Sequence, residues 1–146
     1  MRIALASDHA GFRYKEIIKS YLLLIKMEVT DFGAVSEQPC DYPDFVIPAA
    51  RAVRNKQVDR AIILGGSGNG EAIAANRIKT VRCCVCWSVE AAELARKHND
   101  SNILSLGQRL IPEEQLLKIV KTWLETAFEG GRHIARIQKI ETLSLE

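Results

Sequence analysis

Strand-length apolar runs alternate with helix-length segments five times along this chain, and that alternation constrains the fold more than any other feature. The runs are Arg2–Ala6, Glu28–Phe32, Arg60–Leu64, Val81–Cys86 and Asn102–Leu106. Between them the spacing becomes helical. Gly11–Lys26 carries Phe12, Ile17, Ile18, Tyr21, Leu22 and Ile25 at helical intervals. Gly33–Asp44 reads as a loop, rich in Gly, Ser, Pro and Asp. Phe45–Asn55, Glu71–Arg77, Val89–Lys97 and a segment from Pro112 to about Phe128 read as helices. Arg132–Glu141 adds a terminal helix after the Gly130-Gly131 break. Pro112 suits a first helical turn, whereas Pro48 must sit in a first turn or bend its helix. Strands that are nearly unbroken apolar runs are buried on both faces, so the pattern predicts an α/β fold with a five-stranded parallel sheet between helices. Crossovers are then right-handed, and ligands bind beyond the carboxyl ends of the strands. A chain of 146 residues is the size of one domain, expected over 1–146.

Composition supplies exclusions. No apolar run approaches the roughly 18 residues of a membrane span. The N-terminus lacks the apolar region of about 7–15 residues that marks a secretory signal. A cytoplasmic address and no membrane partner are expected. A net charge of +2 gives no reason to expect a nucleic-acid partner. Cys83, Cys84 and Cys86 crowd one strand, with Cys40 apart. Alternate side chains of a strand point to opposite faces, so these neighbours cannot easily pair, and no second ligand pair stands at metal-binding spacing. They read as small buried hydrophobes.

Chemistry-capable residues gather where such a sheet binds ligands. Ser7-Asp8-His9-Ala10-Gly11 follows the first strand, Gly65-Gly66-Ser67-Gly68-Asn69-Gly70-Glu71 the third, and Gly107-Gln108-Arg109 the fifth. His98-Asn99-Asp100 precedes the fifth strand, so it enters at the opposite edge and reaches the same pocket only from a partner chain. The glycine loop brings backbone amides close to a ligand and leads into a helix N-terminus, a cradle for a phosphate or an oxyanion. It matches neither the dinucleotide fingerprint nor the P-loop, and Asn69 breaks a nucleophile elbow at Ser67. The plain alternative is a flexible βα turn. Glu71 either compensates the helix dipole or acts as a general base beside the cradle, and both readings stand on the sequence alone. Proton abstraction next to a carbonyl needs both a base and oxyanion donors. Next to amide donors a carboxylate is acidified, so burial must restore its basicity. Arg132 and Arg136, four apart on one helix face, form either a phosphate clamp or a solvated face.

Five segments in order resemble the ribose-5-phosphate isomerase B family, within the wider group that includes galactose-6-phosphate isomerase subunits. They are Ser7–Gly11, Asp41-Tyr42-Pro43, Gly65–Glu71 with Ala74-Ala75-Asn76, His98-Asn99-Asp100 and Glu129-Gly130-Gly131-Arg132-His133. The resemblance implies a Rossmann-like α/β/α sandwich. It also implies a homodimer or tetramer with shared sites, the C-terminal helix reaching a partner subunit. No metal and no organic cofactor are implied. The implied reaction interconverts ribose 5-phosphate and ribulose 5-phosphate through a cis-enediolate. Carried over by position, Asp8 and His9 bind substrate, and Gly66, Ser67, Gly68, Asn69 and Gly70 hold the enediolate. His98 assists ring opening from the other subunit, Asn99 contacts the sugar, and Arg109, Arg132 and Arg136 take the phosphate. Part of the family uses a Cys at the place of Gly65 as base; with Gly there, the resemblance assigns the base to Glu71. Tyr42 is placed near the sugar. The rival expectations are an isomerase of allose 6-phosphate or galactose 6-phosphate, and a non-catalytic sugar-phosphate-binding module.

Overall fold

In a computed structural model describing residues 1–143, the alternation becomes five strands and six helices. The strands are β1 (Arg2–Ser7), β2 (Glu28–Asp31), β3 (Arg60–Gly65), β4 (Cys83–Val85) and β5 (Ile103–Gly107). The helices are α1 (Phe12–Leu24), α2 (Pro43–Arg54), α3 (Asn69–Ala75), α4 (Val89–Asn99), α5 (Glu113–Glu125) and α6 (Arg132–Leu143). All strand pairs are parallel, in the order β2-β1-β3-β5-β4. The sheet lies between two helical layers, as the sequence pattern anticipates, and forms the Rossmann-like α/β/α sandwich that the resemblance implies.

Period-two alternation in the strands sorts the core. Ile3, Leu5, Ile62, Leu64, Leu104 and Leu106 face α1, α4 and α5 in one cluster that includes the fully buried Trp123. Ala4, Ala6, Ala61 and Ile63 face the opposite way, against Val46, Ala49, Ala50, Val53, Ala72 and Ala75 of α2 and α3. Small side chains on that face let the two helices approach the sheet closely. The expectation of strands buried on both faces holds for β1, β3 and β5 but not for β2, which is an edge strand with three exposed residues. An edge strand has a neighbour on one side only, so its polar Glu28, Thr30 and Asp31 meet water. Asp31 also anchors α1, accepting from Lys15 at 2.7 Å and Lys19 at 2.8 Å.

Most element boundaries differ from the sequence reading by one to three residues, and two of the shifts have a clear local cause. Helix α2 opens at Pro43 rather than Phe45, because Pro43 is preset for a first turn; Pro48 then lies inside the helix. The fourth strand shrinks to Cys83–Val85. The Asn76 side chain grips its first residue, donating to the Cys83 carbonyl at 2.9 Å and accepting from its N–H at 2.8 Å.

Strand order and register position the site. The chain winds outward from β1 to β2, then returns across the sheet to β3, so winding reverses between β1 and β3. At such a switch point adjacent loops diverge and leave a crevice. Ser7 pairs with Leu64, and Gly65 with Gly107. Asp8, Gly66 and Gln108 therefore leave the sheet at nearly one level.

Candidate active site

A cleft of about 400 Å³ opens at that switch point. Asp8, His9, Gly66, Ser67, Gly70, Glu71 and Arg109, all named from the sequence, line it together with Tyr42. Asp8 is buried, and its Oδ1 accepts from the amides of Ala10 at 2.9 Å and Gly11 at 3.1 Å. These bonds fold the chain into α1 and fix the carboxylate. The Nδ1 atom of His9 sits 3.2 Å from the Cys40 amide nitrogen and 3.3 Å from the Cys40 carbonyl oxygen. The backbone of one residue thus offers this nitrogen both a donor and an acceptor, which orients the ring in either tautomer.

The glycine loop is pinned from β5. Ser105 Oγ donates to the Gly68 carbonyl at 2.6 Å, and the amides of Gln108 and Arg109 donate to the carbonyls of Gly65 and Gly66 at 2.9 and 3.0 Å. Gly68 precedes α3 with φ of +82°, a left-handed conformation that glycine adopts without strain. Its carbonyl points to Ser105, away from the cleft. Asn69 is exposed and borders an adjoining hollow with Ser67, Trp87 and Leu110. Ser105 went unnamed in the sequence reading. Its signal was a hydroxyl inside the run Ile103-Leu104-Ser105-Leu106, since buried polar groups need partners.

Glu71 is 4% exposed, although it belongs to the first turn of a short helix. Its carboxylate lies against Gly65, where a Cβ would overlap it. Burial raises its pKa above the usual carboxylate value; a bond from its own amide opposes this, and the nearby Asp8 charge adds to it. Tyr42 packs its ring against Gly70, 2.8 Å from where a Cβ would stand, and closes the same side.

His98, Asn99, Arg132 and Arg136 lie elsewhere. His98 and Asn99 end α4 at the amino edge of the sheet, and α6 begins at Arg132 beside them. Arg132, Arg136 and Asn99 are exposed. The His98 ring stacks on the buried His133 ring with centroids 4.4 Å apart and an interplanar angle of 13°. Glu129 Oε2 lies 4.0 Å from His98 Nε2 and 3.9 Å from His133 Nε2. The pKa of His133 is lowered, first by burial and then by His98, Arg132 and Arg136, with Glu129 opposing. The four cysteines are free. Burial raises the pKa of Cys84, takes that of Cys83 well above its usual value, and pushes Cys86 up to about 12, so these three thiols stay protonated at neutral pH.

A doubly wound sheet with a buried acid facing a glycine loop at its switch point defines an α/β enzyme of the acid–base class. The chain belongs to the Ribose/Galactose Isomerase family, whose profile matches residues 3–140. It is 39% identical to ribose-5-phosphate isomerase B of Escherichia coli, over 97% of this chain and 95% of that one. The solved ribose-5-phosphate isomerase B of Clostridium thermocellum superposes with a TM-score of 0.97 at 42% identity, covering 99% of this chain and 97% of that chain. The enzyme of the same name from Mycoplasma genitalium, determined with bound ribulose 5-phosphate, gives 0.94 at 38% identity, covering 99% and 97%.

Proposed function

We propose that this chain interconverts ribose 5-phosphate and ribulose 5-phosphate in the cytoplasm. The observation that carries the reading is the buried Glu71 carboxylate, raised in pKa and set beside the glycine loop. In the opened aldose, Glu71 takes the proton from C2, and the electron pair moves through the new C1=C2 bond onto the carbonyl oxygen. Ser67 and the amides between Gly66 and Gly70 stabilise the resulting cis-enediolate. A proton then passes from the C2 hydroxyl to O1, Glu71 returns its proton to C1, and the C2 oxygen becomes the ketone. Asp8 and His9 hold the sugar hydroxyls, and Tyr42 lies alongside.

Two features support a site shared between two copies of the chain. The cleft holds one exposed cation, Arg109, for a phosphate dianion, whereas Arg132 and Arg136 stand at the far edge with His98 and Asn99. Apolar residues are exposed at both edges: Trp87 (66%) and Leu110 (61%) near the cleft, and Ile134, Ile140 and Leu143 on α6. A homodimer in which α6 reaches across brings His98 to the ring oxygen as acid and Asn99 to the sugar. It also brings the two arginines to the phosphate.

Isomerisation in heavy water tests the reading. Deuterium enters the carbon next to the carbonyl with the native protein. Glu71→Gln still binds the sugar phosphate but loses exchange by about 10³-fold or more. Normal exchange by that variant removes Glu71 as the base. The same assay with allose 6-phosphate and galactose 6-phosphate measures the five- against six-carbon preference. Absence of exchange with every sugar phosphate leaves only a binding module.

A further inference from the structure

The stacked imidazoles at the amino edge are more elaborate than packing requires. A buried phenylalanine would fill the space under His98 without placing a polar ring in the interior. Instead a second imidazole is there, and one carboxylate oxygen lies almost equally far from both Nε2 atoms. The backbone is built to bring the three together. The Glu129 amide donates to the Lys97 carbonyl at 3.1 Å, which fixes the carboxylate beside the last turn of α4. Gly130 and Gly131, with φ of +70° and +55°, then turn the chain so that His133, in the first turn of α6, lies beside Glu129.

Three ligand-type side chains within 4.8 Å of one another first raise the question of a cation. The rings argue for another use. Each imidazole binds a metal in its own plane, and two nearly parallel planes carry their lone pairs along parallel lines rather than to one point. Stacked rings with a shared carboxylate suit the holding of a proton.

We propose that His133 and Glu129 are positioning residues for His98: the His133 ring sets the plane of His98, and Glu129 supplies negative charge beside both rings. The inference rests on the reading of His98 as the ring-opening acid. Two imidazolium charges at this separation repel, so a charge on one ring disfavours a charge on the other. Arg132 and Arg136, before and after His133 in α6, disfavour that charge on His133. The cations of α4 are occupied elsewhere: Arg96 pairs with Asp100 at 2.8 Å and Lys97 with Glu93 at 2.5 Å. Glu129 is the carboxylate facing the rings among the described residues. The neutral His133 face then stacks favourably on a charged His98.

The test compares Glu129→Gln, His133→Phe and His133→Ala in the full chain, by rate against pH and by NMR of the imidazole C–H signals. An acid must be protonated, so its activity fails on the alkaline side. Glu129→Gln moves that limb of kcat to lower pH by about half a unit to one unit. In the native protein the His98 signals shift again as His133 titrates, and His133→Phe abolishes this second step. His133→Phe keeps a ring to stack on and holds plateau kcat within about threefold, whereas His133→Ala lowers it about tenfold with KM nearly unchanged. An unmoved limb in Glu129→Gln, independent titration of the rings, or equal kcat in His133→Phe and His133→Ala overturns the proposal. Native protein inert on ribose 5-phosphate defeats the isomerase reading alone, because the NMR arm follows the pair without turnover.

Discussion

Glu71 illustrates how one residue gains a role from its surroundings. On the sequence, an acid opening a helix is as much a dipole partner as a base. Burial beside Gly65 and Asp8 adds what the sequence lacked. In its proposed role as base Glu71 must be ionised, so activity is expected to fall as pH drops through its pKa, and the raised pKa puts the acid limb of the rate profile above that of an ordinary glutamate. Asp8→Asn keeps an oxygen to accept from Ala10 and Gly11 but removes the charge that raises Glu71. The acid limb then moves to lower pH, as a pH–rate series reads directly. The same shift bears on stability. A carboxyl whose folded pKa is raised gives stability that is present below its unfolded pKa and is lost as pH rises through the folded one. At neutral pH the ionised Glu71 is therefore a liability, and Glu71→Gln raises the thermal midpoint by about 2–4 °C while removing activity. Gly65→Ala displaces the carboxylate and lowers kcat about 100-fold, measurable in the same exchange assay.

At the scale of elements, most of the fold was legible. The strands announced themselves as apolar runs, and the three loops that follow β1, β3 and β5 were named from their polar and glycine content. Strand order was not legible, because local pattern says nothing about which strands become neighbours. The start of α2 was misplaced because Pro43 was counted with the loop. Ser105 escaped, and Asn76 was named only within a motif and given no role, for another reason: each acts through a hydrogen bond to a backbone group of another element, and sequence spacing does not encode such pairs. Ser105→Ala tests that kind of contact. It leaves the Gly68 carbonyl with the Ala72 amide alone as donor and costs about 1 kcal/mol, read as a lower urea midpoint at unchanged slope. The loosened loop lowers kcat as well.

For the whole molecule, the sequence already placed His98 at the wrong edge for a site within one chain, and the fold keeps it there. The shared-site proposal makes a quantitative prediction. Glu71→Gln and His98→Asn are each inactive alone. Mixed in equal amounts and allowed to exchange subunits, they form heterodimers with one intact site and one doubly defective site. Half the dimers are mixed and half of their sites are intact, so about one quarter of native activity returns. A mixture that stays inactive shows that the two residues never meet across chains.

The overlap between the Glu71 carboxylate and any Cβ at Gly65 reaches beyond catalysis in this one chain. The two positions share a single volume, which holds either an oxygen base reaching in from the helix or a side chain rising from the strand end. With Glu71 in the proposed role of base, passage to a thiol at position 65 therefore runs through a disabled intermediate unless position 71 changes in the same step. Steric exclusion of this kind couples the two positions, so that a side chain gained at 65 is tolerated only with a smaller residue at 71.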